Sequence, residues 1–231
     1  MSIAENIARV REEIAAAAGE AGRRPEEIVL VGASKMNGAA ACREAIDAGI
    51  DALGENRVQE MVKKLAEDAY TGAPLHFIGH LQRNKVKQVV GRAALIQSVG
   101  SLELLDEIEK TAARLELTQD ILLEVNIGGE EAKSGFAPSA VFAAAETALS
   151  RGHVRVRGLM TIPPADAARD ANIRYFEAVR ALYIDIGEKM FHNRLEYLSM
   201  GMSGDYADAI RAGATMVRVG TAIFGARNYS V

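Results

Sequence analysis

Lys35 is set apart from the chain's other lysines by its position, because it follows Ser34 at the end of Ile28–Ala33, an apolar run with the character of a buried strand. A lysine emerging there is partly desolvated, and desolvation favours the neutral amine. A neutral amine is the nucleophile that condenses with an aldehyde to form a Schiff base. A structural lysine paired with a carboxylate such as Glu55 would occupy the same place, so position alone leaves both readings open.

Two stretches near the far end of the chain could hold a phosphate. Gly201-Met202-Ser203-Gly204-Asp205 and Gly220-Thr221 combine glycines with hydroxyls. Glycines let backbone N–H groups approach a phosphate closely, and a following helix start adds unpaired donors. Ser203 is also placed to cap a helix over Asp205–Arg211, and plain turn glycines would look the same. Arg218 lies two residues before Gly220, on the same face of an extended strand. A guanidinium facing an interior needs a partner; a ring nitrogen would serve, as would Glu124 or Glu196.

Positioning these groups requires a scaffold that gathers strand ends. Runs that read as strands begin near Ile28, Asp51, Leu75, Ala94, Asp120, Val154, Leu195 and Met216, with helical stretches such as Val58–Ala69, Ser101–Leu115, Pro138–Ser150 and Asn172–Glu188 between them. About eight strand-plus-helix units predict a single (β/α)8 TIM barrel, 1–231, in which working residues lie at the C-terminal strand ends. Strands apolar on both faces, such as Ile121–Val125, suit a parallel sheet covered by helices. An extra N-terminal helix precedes the barrel: Ser2 and Glu5 form a capping box, and Ile3, Ile7, Val10 and Ile14 recur at helical spacing. A faint repeat, Ala45–Gly49 and Ala209–Gly213, places a glycine at two helix ends. No Gly-x-Gly-x-x-Gly follows the first strand, which counts against a doubly wound dinucleotide fold.

Other chemistries find little support. His76 and His80 flank a strand, where four residues' separation is too wide for one metal. Gly201–Asp205 lacks the final glycine of a hydrolase nucleophile elbow. Cys42 is the only cysteine, so neither a disulfide framework nor a thiolate metal cluster is expected. With 49% hydrophobic and 25% charged residues and a net charge of -4, the chain has ordinary globular composition and no global field for nucleic acid. Arg83–Lys87 is locally basic and reads as a solvated helix face. The absence of a signal-peptide pattern and of a membrane-length apolar run points to a cytoplasmic protein.

The chain resembles the pyridoxal phosphate homeostasis protein family along nearly its whole length. The resemblance is carried by Val31–Lys35, Gly54–Glu60, His76–Lys85, Lys133-Ser134-Gly135, Arg157–Met160, Leu198–Ser203 and Val217–Gly225. It implies a barrel like the N-terminal domain of alanine racemase, with pyridoxal 5′-phosphate (PLP) held through its aldehyde on Lys35. It further implies phosphate near Ser203, Gly220 and Thr221, Arg218 against the pyridine nitrogen, Asn56 near the ring, and Lys133 near the cofactor entrance. The expected cofactor-binding set is Lys35, Asn56, Ser199, Ser203, Arg218, Gly220 and Thr221, with no catalytic residue and no metal. Two positions depart from the family: Met36-Asn37-Gly38 replaces a common Thr, basic residue and Pro, and Arg57 replaces a common Tyr.

Arg218 bears on mechanism. A fixed cation beside the pyridine nitrogen opposes its protonation and weakens the ring as an electron sink. A PLP-dependent amino-acid racemase, the alternative, also needs a second base, which the alanine racemase fold draws from a second domain; none is expected before Val231. The expectation is a non-catalytic PLP carrier and buffer, a monomer, with apo PLP-dependent enzymes as recipients and no nucleic-acid or membrane partner.

Overall fold

The computed structural model describes residues 1–130, 133–164 and 167–225. Helix α1 (Ile3–Glu20) opens the chain on the expected capping box: Ser2 Oγ accepts from Glu5 N–H at 3.2 Å, and the Glu5 carboxylate accepts from Ser2 N–H at 2.7 Å. Its apolar stripe of Ile7, Val10 and Ile14 is buried.

Eight parallel strands then close a barrel: β1 (Val29–Ala33), β2 (Ala52–Glu55), β3 (Leu75–Phe77), β4 (Leu95–Val99), β5 (Gln119–Val125), β6 (Val154–Thr161), β7 (Tyr197–Ser199) and β8 (Met216–Val219). The first and last strands pair directly, Val31 with Arg218. Between the strands run α2 (Ala39–Asp47), α3 (Val58–Leu65), α4 (Leu102–Arg114), α5 (Val141–Leu149), α6 (Arg169–Met190) and α7 (Tyr206–Arg211), and α8 (Thr221–Phe224) follows β8. This is the (β/α)8 architecture with an added N-terminal helix. After β3 the connection is a 3-10 segment, Arg83–Gln88, instead of an α-helix; Val86 is buried while Arg83 and Lys87 face solvent. The repeat near Gly49 and Gly213 has a structural basis. Both glycines take positive φ (80° and 105°), and Ile50 and Ala214 N–H reach back to the carbonyls of Ala45 and Ala209 at 3.1 and 2.9 Å. The same helix stop thus precedes β2 and β8.

Strand alternation sorts the side chains into two cores. The outward faces pack against the helices, whereas Val31, Ala52, Leu95, Leu122, Met160 and Met216 form a separate apolar cluster inside the barrel. One pleat step further along the same faces stand Gln97, Glu124 and Arg218, so the interior becomes polar toward the C-terminal end. Helix α1 reaches this end from outside. Asn6 Nδ2 donates to the Ile223 carbonyl at 2.9 Å, and an Arg9 N–H donates to that of Ala222 at 3.1 Å, tying α8 down directly after Gly220.

Candidate functional site

Beyond Ala33 the chain makes a tight turn. Asn37 N–H donates to the Ser34 carbonyl at 3.0 Å, and Asn37 Nδ2 donates to the Lys35 carbonyl at 3.0 Å. Met36, the third residue of this turn, has φ 63°, a left-handed conformation costly for a residue with a Cβ. The Glu60 carboxylate accepts the Met36 N–H. Lys35 is thereby half-buried at the barrel mouth, lining a cavity of about 240 Å³.

The opposite wall comes from the loops after β7 and β8. Ser203 Oγ accepts from the N–H groups of Gly220 at 3.1 Å and Ala222 at 3.4 Å. Ser203 therefore crosses to the start of α8 and does not cap α7, whose N-cap is Asp205 without a side-chain capping bond. Ser203, Gly204, Gly220 and Thr221 all line the cavity, with Ile78, Ile162, Met202 and Phe224 supplying apolar surface.

Arg218 forms the deep end of the site. It is 3% exposed and anchored twice, donating to Ser199 Oγ at 2.6 Å and to the Thr161 carbonyl at 2.9 Å. Ser199 passes the chain on by donating to Gln97 Oε1 at 2.7 Å, and Gln97 Nε2 lies 3.0 Å from His76 Nδ1. Donors run in one direction along this buried row, so His76 must accept at Nδ1 and remain neutral. Burial agrees, pulling the His76 pKa down to about 4. Burial also lowers the Arg218 pKa to about 10, opposed by the charges of Asp205 and Glu124; the guanidinium remains a cation at neutral pH. Among the described residues no carboxylate lies within 4 Å of it. Glu196, one candidate partner, instead pairs with Arg157, and Glu124 accepts from Ser134 Oγ at 2.9 Å.

Six of the seven residues singled out in the sequence (Lys35, Asn56, Ser203, Arg218, Gly220 and Thr221) line this one cavity. Ser199 does not; it holds Arg218 from behind. Lys133 lines a neighbouring hollow of about 560 Å³ with His80, Glu124, Asn126 and Ser134, which shares Asn56, Ile78 and Ile162 with the first. There its ammonium pairs with Glu130 at 2.6 Å. Of the departures, Asn37 lines the Lys35 cavity, while Arg57 is exposed at the N-cap of α3. The Glu55 carboxylate is engaged by Lys64, Ser34 and Tyr70. Sequence reasoning missed Gln97 and the acceptor role of His76. A glutamine within the short, mostly apolar strand Leu95–Val99 was the available signal. No group of three or more His, Cys, Asp or Glu suited to a metal occurs among the described residues.

Comparison with known proteins supplies the relatives of this arrangement. A family model described as alanine racemase, N-terminal domain, matches residues 2–228. The chain is 42% identical over 229 residues to the pyridoxal phosphate homeostasis protein of Aquifex aeolicus (strain VF5), covering 99% of this chain and 100% of the relative. The chain belongs to the pyridoxal phosphate homeostasis protein family. The family member of Escherichia coli (strain K12) is 40% identical over 232 residues, covering 99% of this chain and 98% of the relative. Among solved structures, PipY of Synechococcus elongatus PCC7942 with PLP bound superposes with a TM-score of 0.84 at 32% identity, covering 97% of this chain and 100% of that one. No helix among the described residues of this family member is long and apolar enough to cross a membrane.

Proposed function

We propose that this protein binds PLP as a Schiff base on Lys35 and acts as an intracellular PLP carrier and buffer, without a catalytic cycle of its own. The observation that carries this reading is the convergence in one cavity of an amine, an anion-type donor cluster and a buried guanidinium. PLP itself supplies an aldehyde for the amine, a phosphate, and a ring with one basic nitrogen, and the lining suits each part. The Ser203 hydroxyl, whose oxygen accepts from Gly220 and Ala222 N–H and leaves its proton to donate, suits a phosphate, with Gly204, Gly220 and Thr221 beside it in the lining. Ile78 and Ile162 suit the faces of an aromatic ring, and Asn56 its polar edge. Arg218, held by Ser199 and Thr161, is a cation suited to an unprotonated ring nitrogen. That last choice bears on catalysis, because an unprotonated ring draws electrons weakly and stabilises a carbanion poorly. The cytoplasm, a monomeric state and apo PLP-dependent enzymes as recipients complete the reading.

Visible absorption tests it. The purified protein given PLP acquires the band of a protein-bound imine, and Lys35→Ala does not. A protein that stays colourless with added PLP would overturn the proposal. Incubating the PLP-loaded protein with single amino-acid enantiomers in deuterated water separates carrier from racemase: the carrier shows no exchange of the α-proton.

A further inference from the structure

Beneath the turn that carries Lys35 lies a polar cluster whose side chains do not line the cavity. Lys64, on α3, is 4% exposed, and Glu55, at the end of β2, is fully buried. The Lys64 ammonium donates to the Ser34 carbonyl at 2.8 Å and pairs with Glu55 and with Glu60 at 2.9 Å. Glu55 Oε1 also accepts from Ser34 Oγ at 2.5 Å and from the Tyr70 hydroxyl at 3.1 Å. Glu60 accepts the Met36 N–H. The residue before Lys35 is thus fixed at its carbonyl and its hydroxyl, and the residue after it at its amide.

Stability alone does not call for this arrangement. Burying an ion pair is costly, and apolar replacement of such pairs is often neutral or stabilising. A left-handed Met36, in turn, persists only where its surroundings over-determine the backbone. Both observations fall on the same four-residue turn.

We infer that Lys64, Glu55 and Glu60 are positioning residues that clamp the Ser34–Asn37 turn and so aim the Lys35 amine into the cavity. The inference rests on the reading of Lys35 as the attachment point. It divides PLP retention in two: the ring and phosphate are held by the far wall, and the clamp governs only the bond to Lys35.

Two ligands separate these parts. PLP tests both, whereas pyridoxine 5′-phosphate, which keeps ring and phosphate but has an alcohol for the aldehyde, tests the cavity alone. Glu60→Gln removes the charge that holds the Met36 N–H at a half-buried position where the fold tolerates it. The rate of imine formation should fall by about tenfold, the loss of the charge that strengthens this hydrogen bond and the pairing with Lys64, while affinity for the alcohol analogue stays unchanged. Lys64→Met, which leaves two facing carboxylates, should lower the rate further. Adding Met36→Gly to Glu60→Gln should restore part of it, because glycine accepts the left-handed conformation unaided. An equal loss for both ligands would overturn the inference by making the cluster a general support, as would an undiminished imine rate in Glu60→Gln. A wild-type protein that forms no imine would overturn the attachment reading along with it, an outcome distinct from both.

Discussion

Acidification should strip stability from this protein through His76. Its imidazole is 7% exposed at the inner end of the row running from Arg218 through Ser199 and Gln97. Burial lowers its pKa from 6.5 to about 4. The unfolded chain therefore binds a proton that the folded chain refuses, and the stabilising contribution, present in full above the ordinary value, is lost as pH falls toward 4. Between about pH 7 and about pH 5 the shift is worth about 2 kcal/mol, a large part of a typical domain's stability. Denaturant unfolding at several pH values, in the wild type and in His76→Asn, measures it. Asn keeps an acceptor for Gln97 but does not titrate, so its stability should fall by about 2 kcal/mol less over this interval. Burial raises the pKa values of Glu55, Glu124 and Asp205, whose contributions run the opposite way, but they are common to both proteins and cancel in the difference. Parallel pH profiles for the two proteins would refute the neutral, accepting His76 and with it the direction of the row.

Three substitutions probe the supports of the cavity. At Gly79 an added Cβ would lie 2.2 Å from the Asn56 carbonyl oxygen, so Gly79→Ala must displace the backbone that carries Asn56. It should cost about 1–3 kcal/mol in thermal unfolding and speed PLP loss on dialysis. Asn6→Ala removes a buried bond to the Ile223 carbonyl and should destabilise the fold by about 1–3 kcal/mol in urea, since that carbonyl loses its partner. Ser203→Ala removes the hydroxyl that bridges to Gly220 and Ala222; affinity for pyridoxine 5′-phosphate, read by titration, should drop by about tenfold or more. Unchanged affinity there would mean that the phosphate lies elsewhere.

The barrel was legible because its cause is local. Each strand is short and built around apolar residues, and the same left-handed glycine stop precedes β2 and β8. Lys35 and the Gly220-Thr221 loop were legible because strand ends are where a barrel must place its polar groups. The partner of Arg218 was not, because pairing inside a closed sheet is set by stagger between strands distant in sequence. Ser199 and Thr161 reach it from β7 and β6, whereas Glu124 and Glu196, the acidic residues that strand position suggested, turn to Ser134 and Arg157. Ser203 illustrates the same limit, since its spacing from α7 suggested a cap while its hydroxyl crosses to the next loop. Of the Lys64 clamp only the i,i+4 spacing of Glu60 and Lys64 left a mark in the sequence; the contacts of Lys64 with Glu55 and the Ser34 carbonyl, under the turn, left none.

The central claim is that PLP is held by one particular amine, and the most direct measurement is to fix that bond and find it. Borohydride reduction of the PLP-loaded protein followed by peptide mass spectrometry should yield a single phosphopyridoxyl adduct, on the peptide containing Lys35. An adduct on Lys133 instead, or none at all, would contradict the account.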